Sequence, residues 1–359
     1  MKARNAVARL NAYALNPGTR RDKLRMDLNE SLWGCTPKVG QALAAMGHGG
    51  AAAYPDYHDL MAALSDYLGT PEETLLVTNG ADDGIRAIMQ SFIEPEDAVV
   101  VAEPSFGMID LHARVMGATI RSVPYESDFA YPVAGFEGAL AYGARLAAIV
   151  RPDSPTGAVI APDDLERLTA AHPDTIVMLD ETYRHFLGES LLPLLKRFPN
   201  LVVLQSFSKA FGLAGLRLGV IAARPEVITE LRKVNPPFSV NAAAVAAGLA
   251  CLDDLAFLDE TVASVAREKE RLRAELKRRG LPVRDSAANF VLVDVGERAE
   301  AVHGDLMTAG ILVKNLDRMP LLRGHFRVAV GRPEDNDRFL VALDAALARV
   351  AGNATEVRS

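Results

Sequence analysis

The sequence lacks several features that mark particular classes of protein. It has only two cysteines in 359 residues, Cys35 and Cys251, which lie far apart and match no metal-binding spacing. It has no Lys- or Arg-rich run and a net charge of −7, so it offers no basic surface for nucleic acid. Its longest apolar run, Ala242–Leu252, is too short to span a bilayer, and its N-terminus has no signal-peptide core. We therefore expect a cytoplasmic protein with free thiols and with neither nucleic acid nor membrane as a partner.

The chain has the composition of a globular protein, with 49% hydrophobic and 24% charged residues. Short apolar runs at residues 98–101, 146–150, 176–179 and 201–204 alternate with helical patterns. Continuous apolar strands separated by helices are typical of a mainly parallel sheet that helices cover on both faces. The sequence therefore predicts an α/β fold with a large sheet sandwiched by helices and a smaller α+β domain.

The predicted domain organisation has three parts, and a chain of this length suggests two domains. Residues 1–40 form an N-terminal arm that joins the small domain and is loop-like up to residue 35. Residues 41–240 form the large domain, and residues 241–359 form the small C-terminal domain.

Polar clusters follow the predicted strands of the large domain, at residues 78–82, 104–106, 152–157, 180–183 and 206–217. Ligands of parallel sheets bind at the carboxyl ends of the strands. Taken singly, each cluster has an ordinary structural explanation, such as a helix start, a turn or a core aromatic residue. Their common position relative to the strands favours a shared site.

The most informative cluster contains Ser206, Ser208, Lys209 and Arg217. A lysine among apolar residues is a candidate nucleophile, and two hydroxyls with an arginine can bind a phosphate. A nucleophilic amine beside a phosphate site is what a protein needs to bind pyridoxal 5'-phosphate (PLP) covalently. The cluster therefore predicts PLP as the cofactor.

Three further clusters fit the same cofactor. Asp180 ends an apolar strand, where a buried carboxylate is costly unless it is paired, and a protonated pyridine nitrogen would pair with it. The turn at Asn79-Gly80 leads into a helix whose free N–H groups can bind phosphate. Phe106 could stack on a flat ring.

In this order, the motifs resemble the fold-type I PLP-dependent aminotransferases, and among these the histidinol-phosphate aminotransferase family. The resemblance extends from about Asn16 to the last helix. Its most specific parts are Leu28-Asn29-Glu30, Tyr54-Pro55-Asp56, Asp180-Glu181-Thr182-Tyr183, residues 206–217 and residues 326–331.

The resemblance implies a role for each matching residue. The catalytic residues would be Lys209, Asp180 and Tyr183. The cofactor would be held by Lys209, Ala81, Asp82, Phe106, Ser154, Asp180, Thr182, Tyr183, Ser206, Ser208, Arg217 and Tyr54. The substrate would be bound by Arg327, Asn29, Lys314 and Trp33. Tyr54 would reach the phosphate of a neighbouring subunit, which implies a homodimer with shared active sites.

The chain departs from the family pattern at four of these positions. Ser154 replaces the usual Asn, and Thr182 replaces the usual Ala. Lys314 stands where the family commonly has the arginine for the substrate phosphate, and Trp33 replaces a residue at the substrate entrance. These changes weaken the case for histidinol phosphate as the substrate and do not touch the aminotransferase core.

Several functions remain open at this point. The first is transamination of histidinol phosphate or a related amino acid, with 2-oxoglutarate and glutamate as the partner pair. The alternatives are a PLP-dependent decarboxylase of the threonine-phosphate type and an aromatic amino acid aminotransferase. A non-catalytic PLP-fold regulator is disfavoured, because Lys209 is intact and the chain shows no added DNA-binding domain.

Overall fold

The structure is a computed structural model that describes residues 1–12, 20–126, 128–319 and 321–356. Asn16, where the family resemblance begins, lies outside the described residues. Within the described ranges, no helix is both long enough and apolar enough to cross a bilayer.

The strands and helices alternate along the first two thirds of the chain. The strands are β1 (Leu24–Met26), β2 (Leu75–Thr78), β3 (Ala98–Glu103), β4 (Thr119–Pro124), β5 (Leu146–Val150), β6 (Ile176–Asp180), β7 (Leu201–Ser206) and β8 (Gly219–Ala223). The helices are α1 (Asn5–Ala8), α2 (Pro37–Ala45), α3 (Gly47–Ala52), α4 (His58–Leu68), α5 (Ala81–Phe92), α6 (Gly107–Met116), α7 (Val133–Ala141), α8 (Pro162–Ala171), α9 (Arg184–Leu187) and α10 (Pro225–Val234).

The last third contains helices at each end and strands between them. Its elements are α11 (Ala242–Leu252), α12 (Leu255–Arg278), β9 (Val283–Arg284), β10 (Phe290–Asp294), α13 (Ala299–Thr308), β11 (Ile311–Asn315), β12 (His325–Ala329) and α14 (Pro333–Glu356). Short 3₁₀ turns occupy Glu72–Thr74, Leu192–Lys196 and Gly296–Arg298.

The large sheet has the strand order β2-β8-β7-β6-β5-β3-β4. Strand β8 is antiparallel to both of its neighbours, and the remaining pairs are parallel. The carboxyl ends of the parallel strands therefore meet at one edge, as they do in doubly wound sheets. This confirms the predicted α/β fold with a mainly parallel sheet.

Residue alternation along the strands builds a core on each face of this sheet. Ile149 and Leu179 belong to one apolar cluster, and their chain neighbours Val150 and Met178 belong to the other. Because successive side chains in a strand point to opposite faces, a strand that is apolar throughout requires helices on both sides. The helices between the strands provide this cover.

The small sheet has the order β1-β11-β12-β10-β9. Strand β1 comes from the segment that the sequence predicted as loop, and it pairs in parallel with β11, so that prediction was wrong at Leu24–Met26. A three-residue strand has little local signal, and this one is stabilised by a partner nearly 300 residues away along the chain. The N-terminal segment thereby joins the small sheet and passes on toward the large one.

Two helices connect the sheets. Helices α11 and α12 are separated at Asp253 and Asp254. Helix α11 packs against α2 and α4, and its Ala244 and Val245 are part of a core cluster on the large sheet. Helix α2 begins with the Thr36 hydroxyl accepting from Lys38 N and with Pro37 in the first turn.

Candidate active site

A cavity of about 280 Å³ opens at the carboxyl edge of the large sheet. Predicted site residues that line it are Ala81, Asp82, Phe106, Ser154, Asp180, Thr182, Tyr183, Ser206, Ser208, Lys209 and Arg217. They come from the ends of β6 and β7, the start of α5 and the loops that follow β3, β5 and β7. The sheet topology therefore assembles clusters that are more than 130 residues apart in the sequence.

Lys209 lies three residues beyond the end of β7, in a turn that presents its amine to the cavity. Its Nζ donates to the carbonyl oxygen of Leu28 at 2.8 Å and lies 5.9 Å from the centre of the Tyr183 ring. The neighbouring side chains Phe207, Ala210 and Phe211 are buried in the apolar core. The amine is thus held in an apolar turn with its head group at the cavity.

Asp180 is the last residue of β6, and its side chain is buried at the floor of the cavity. Burial raises the pKa of its carboxyl to about 6, and the negative charges of Asp82 and Glu181 contribute to the rise. The backbone N–H of Thr182 donates to its Oδ1 at 2.9 Å. A buried carboxylate in this position favours a cationic partner in the cavity, and a protonated ring nitrogen is such a partner.

The start of α5 and the loop before β8 form a polar cradle. Arg217 Nη2 donates to Asp82 Oδ2 at 3.0 Å, and Arg217 Nη1 lies 3.4 Å from the Ser208 hydroxyl. A Cβ added at Gly80 would lie 2.5 Å from Arg217 Nη2, so a side chain at this position would displace the guanidinium. Free N–H groups at a helix start, two serine hydroxyls and a guanidinium together suit a phosphate group.

The predicted substrate residues Arg327, Lys314, Trp33 and Asn29 are not among the residues that line the cavity. Arg327 on β12 donates through Nη1 to the Ser154 hydroxyl at 2.8 Å and through Nη2 to the carbonyl oxygen of Asp27 at 2.8 Å. Lys314 on β11 is its register partner on the neighbouring strand. Trp33 is half-buried against the core of the small sheet, and its carbonyl accepts from Arg332. Arg327 therefore reaches the cavity through its contact with the lining residue Ser154, and Lys314 is its neighbour on the adjacent strand.

Asn29 is fully buried and donates through Nδ2 to the Tyr183 hydroxyl at 2.8 Å. Tyr54 is not among the cavity-lining residues of the described chain. Its ring is 80% exposed and stacks on Phe238 at a centroid distance of 4.4 Å. A role for Tyr54 in a shared site would therefore need a second copy of the chain.

Some residues at or beside the cavity were missed by the sequence analysis. Leu28 and Glu30 line it, and Glu30 pairs with Arg20 at 2.8 Å. Both lie in the Leu28-Asn29-Glu30 motif, which was the signal available for finding them. Leu28 acts through its backbone carbonyl, however, and a backbone acceptor leaves no mark in the residue type.

Asp153 was also missed, although it adjoins Ser154 in the same motif. It is fully buried and accepts from the Ser105 hydroxyl at 2.8 Å and from the Tyr125 hydroxyl at 2.5 Å. Burial raises the pKa of the Asp153 carboxyl to about 7. Through Ser105 it connects the loop that carries Ser154 with the loop that carries Phe106.

Comparison with known proteins identifies the family. The family model for aminotransferase class I and II matches residues 21–343. The chain belongs to the aminotransferase class I and II family. A histidinol-phosphate aminotransferase from Roseiflexus castenholzii is 40% identical over 89% of this chain and 88% of its own length. The histidinol-phosphate aminotransferase from Symbiobacterium thermophilum is 39% identical over 91% of both chains.

A solved structure gives the same result for the fold. Histidinol-phosphate aminotransferase from Sinorhizobium meliloti, in complex with pyridoxal-5'-phosphate, superposes with a TM-score of 0.85 and is 27% identical. The match covers 91% of each chain. The predicted resemblance to the histidinol-phosphate aminotransferases is thus confirmed, as is the fold-type I architecture. The protein is an aminotransferase, and its cofactor is PLP.

The cavity of this aminotransferase fits PLP in the chemistry of its walls. The polar cradle of Gly80, Ser208 and Arg217 suits the phosphate, and the buried carboxyl of Asp180 suits the ring nitrogen. Lys209 presents an amine between these two regions, and Phe106 provides an aromatic wall.

Proposed function

We propose that this aminotransferase transfers the amino group of histidinol phosphate, or of a closely related amino compound, to 2-oxoglutarate. The observation that carries the proposal is a cation pair, formed by Arg327 on β12 and its register partner Lys314 on β11, in which Arg327 donates to the cavity-lining residue Ser154. Two adjacent cations suit a dianionic phosphate, and the similar proteins from Roseiflexus castenholzii and Symbiobacterium thermophilum are histidinol-phosphate aminotransferases. With the second substrate, Arg327 would bind a carboxylate.

In this proposal the cofactor is held at three points. Asp180 keeps a proton on the ring nitrogen, and the Tyr183 hydroxyl donates to the ring oxygen. The phosphate is bound by Ser206, Ser208, Arg217 and the N–H groups of Ala81 and Asp82 at the start of α5. Phe106 and Thr182 flank the ring. These roles agree with the position of each side chain on the cavity wall.

Lys209 has two tasks in the reaction. It would hold the cofactor through Nζ, and its free amine would carry a proton to and from the substrate α-carbon. When bound, PLP supplies an electron sink that stabilises negative charge at this carbon. The buried side chains of Phe207, Ala210 and Phe211 fix the turn that carries Lys209.

Substrate tests separate the proposed function from its alternatives. The PLP-loaded protein is mixed with 2-oxoglutarate and histidinol phosphate, an aromatic amino acid or phosphothreonine, while glutamate and carbon dioxide are measured. We expect glutamate with the highest kcat/KM for histidinol phosphate, and no activity in Lys209→Ala. Carbon dioxide from phosphothreonine would instead establish a decarboxylase, and a preference for aromatic amino acids would displace histidinol phosphate.

The cation pair has its own test. Lys314→Ala should raise the KM for histidinol phosphate about tenfold or more, since one charge-assisted contact to phosphate is lost. Lys277→Ala, an exposed change of the same charge on α12, is the matched control and should leave KM unchanged. An equal loss for histidinol phosphate and for uncharged-side-chain amino acids would remove Lys314 from the phosphate site.

The protein is further proposed to be a cytoplasmic homodimer with shared active sites. The exposed ring of Tyr54 and its exposed neighbour Phe238 support this, because such aromatic pairs are common at interfaces. Mixing inactive Lys209→Ala with Tyr54→Ala should restore activity, since a mixed dimer contains one site with both residues intact. A monomer in sedimentation, or no restoration after subunit exchange, would contradict the shared site.

The division into an N-terminal arm (1–40), a large PLP-binding domain (41–240) and a small domain (241–359) stays a prediction. The pairing of β1 with β11 supports the arm's association with the small domain. Limited proteolysis that yields fragments cut near residue 240 would support the second boundary.

A further inference from the structure

Asn29 occupies an unusual position in the segment between β1 and α2. Its backbone has φ of +55°, in the left-handed region that asparagine tolerates better than most residues, and its side chain is fully buried. A buried amide in this conformation is costly unless its contacts are needed. The main side-chain contact is the hydrogen bond from Nδ2 to the Tyr183 hydroxyl oxygen.

This hydrogen bond affects the direction in which the Tyr183 hydroxyl can donate its proton. A tyrosine hydroxyl has one proton, and when its oxygen accepts from an amide N–H the proton remains available for another acceptor. The Tyr183 ring itself is fixed, since it is 6% exposed and packs edge-on against Phe290 at 5.8 Å. The hydroxyl proton can still rotate about the C–O bond, and the hydrogen bond from Asn29 to the hydroxyl oxygen restricts this rotation.

The segment that carries Asn29 is fixed against other site residues on both sides. The carbonyl of Asp27 accepts from Arg327 Nη2, and the carbonyl of Leu28 accepts from Lys209 Nζ. Asn289 Nδ2 donates to the carbonyl of Asn29 itself at 3.2 Å. The amide of Asn29 is therefore held at a defined place relative to the lysine and to Tyr183.

We propose that Asn29 is a positioning residue, which directs the Tyr183 hydroxyl proton toward the ring oxygen of PLP. The family resemblance assigned Asn29 to the substrate, whereas this inference makes it act on the cofactor through Tyr183. It rests on the proposed placement of PLP and is independent of the amino compound that reacts. A proton donated to the ring oxygen lowers the affinity of the neighbouring Lys209 nitrogen for its own proton.

The test is a pH titration of the visible absorbance of the PLP-loaded protein without amino substrate. Asn29→Gly keeps the left-handed backbone and removes the amide. We expect it to raise the apparent pKa of the absorbance change by up to about 1, the size expected for one hydrogen bond. Ser31→Ala, two residues along, removes a half-buried hydroxyl that donates to the Gly34 carbonyl; it is the matched control and should not move the titration.

A double-mutant cycle with Tyr183→Phe decides between direct and indirect action. If Asn29 acts through the hydroxyl, Asn29→Gly has no further effect on the titration once Tyr183 is Phe. Asn29→Asp, which fits the same backbone but only accepts hydrogen bonds when ionised, should raise the apparent pKa in the wild-type background more than in Tyr183→Phe. Asn29→Asp also keeps the inference testable if the Asn29→Gly variant folds poorly.

Two results would overturn the inference. One is an equal shift by Asn29→Gly with and without the Tyr183 hydroxyl. The other is an unmoved titration with a raised KM for the amino substrate, which would return Asn29 to the substrate. If the wild-type protein shows no PLP-dependent absorbance at all, the proposed function fails together with this inference, whereas a normal wild-type titration isolates the failure to Asn29.

Discussion

Arg327 Nη1 donates to the Ser154 hydroxyl at 2.8 Å, so a residue of the small sheet is hydrogen-bonded to a loop of the large one at the cavity wall. The Ser154 hydroxyl can accept from Arg327 while its own proton points elsewhere. The arginine proposed to bind the substrate anion is thereby oriented by a residue proposed to lie beside the cofactor ring.

Ser154→Ala should lower kcat/KM about tenfold through KM, because Arg327 loses an acceptor that holds its guanidinium in place, and hydrogen bonds to charged groups contribute about 1.5–3 kcal/mol. Steady-state kinetics with both substrates checks this. Arg327→Lys keeps the positive charge but removes the planar guanidinium that donates to Ser154. In that background, Ser154→Ala should lower kcat/KM much less. Equal losses in both backgrounds would show that Ser154 acts independently of Arg327.

The raised pKa of Asp180 predicts a pH-dependent stability of the PLP-free protein. Its carboxyl titrates at about 6 when folded, against an ordinary value of 3.8, because burial favours the neutral form. Its stabilising contribution is complete below pH 4 and is lost as the pH rises through 6, since the unfolded chain ionises first. A shift of this size corresponds to about 3 kcal/mol.

Asp180→Asn cannot ionise and should therefore make the PLP-free protein more stable than wild type at pH 8, with the difference vanishing toward pH 4. Denaturant unfolding at the two pH values measures the effect. Asp174→Asn, on an exposed turn before β6, should behave like wild type at both. PLP should reverse the order at pH 8, because it stabilises the wild type and binds the variant weakly. A constant difference between the variants would contradict this account.

Substitution of Gly80 tests whether the polar cradle binds the phosphate of PLP. Gly80→Ala would place a methyl group 2.5 Å from Arg217 Nη2 and should weaken PLP binding at least tenfold by displacing the guanidinium. Gly80 also has φ of +81°, so strain alone would destabilise the variant. Gly69→Ala separates the two effects, because Gly69 has φ of +62° with nothing within 4 Å of an added Cβ.

Gly69→Ala should lose about 1–2 kcal/mol of stability because its backbone is left-handed, and Gly80→Ala should lose more, because its φ of +81° and ψ of 169° lie in a region nearly confined to glycine. Only Gly80→Ala should change the PLP dissociation constant, measured by fluorescence or absorbance titration. A PLP affinity that falls equally in both, or in neither, would show that Gly80 does not make room for a phosphate-binding arginine.

The sequence predicted the parts of the site that are carried by regular elements. Asp180 and Lys209 follow apolar strands, so their place at one sheet edge follows from the strand pattern and from the rule that parallel strands end together. The contact between Lys209 and the carbonyl of Leu28 was not predictable in this way. It joins residues 181 positions apart and uses a backbone atom, which every residue has.

Strand β1 shows the same limit at the level of the fold. Its three residues carry no periodicity, and they form a strand because β11 provides the pairing edge. Asp153 differs from the Leu28 carbonyl and from strand β1, because its acidic side chain stands next to Ser154 in the cluster at residues 152–157 and could be read from the sequence. Its partners Ser105 and Tyr125 come from other loops and strands, so its contacts required the structure.

The two cysteines should differ strongly in reactivity. Cys251 is 2% exposed, and burial raises the pKa of its thiol to about 12, whereas Cys35 is only half-buried. Because the thiolate is the reacting form, an aromatic disulfide reagent at pH 8 should modify one thiol quickly in the native protein and the second only after unfolding. Cys35→Ser should abolish the fast phase, and Cys251→Ala should leave it intact. Rapid modification of two thiols in the native protein would mean that the core beneath Phe211, whose carbonyl lies 3.9 Å from the Cys251 sulfur, opens readily to solvent.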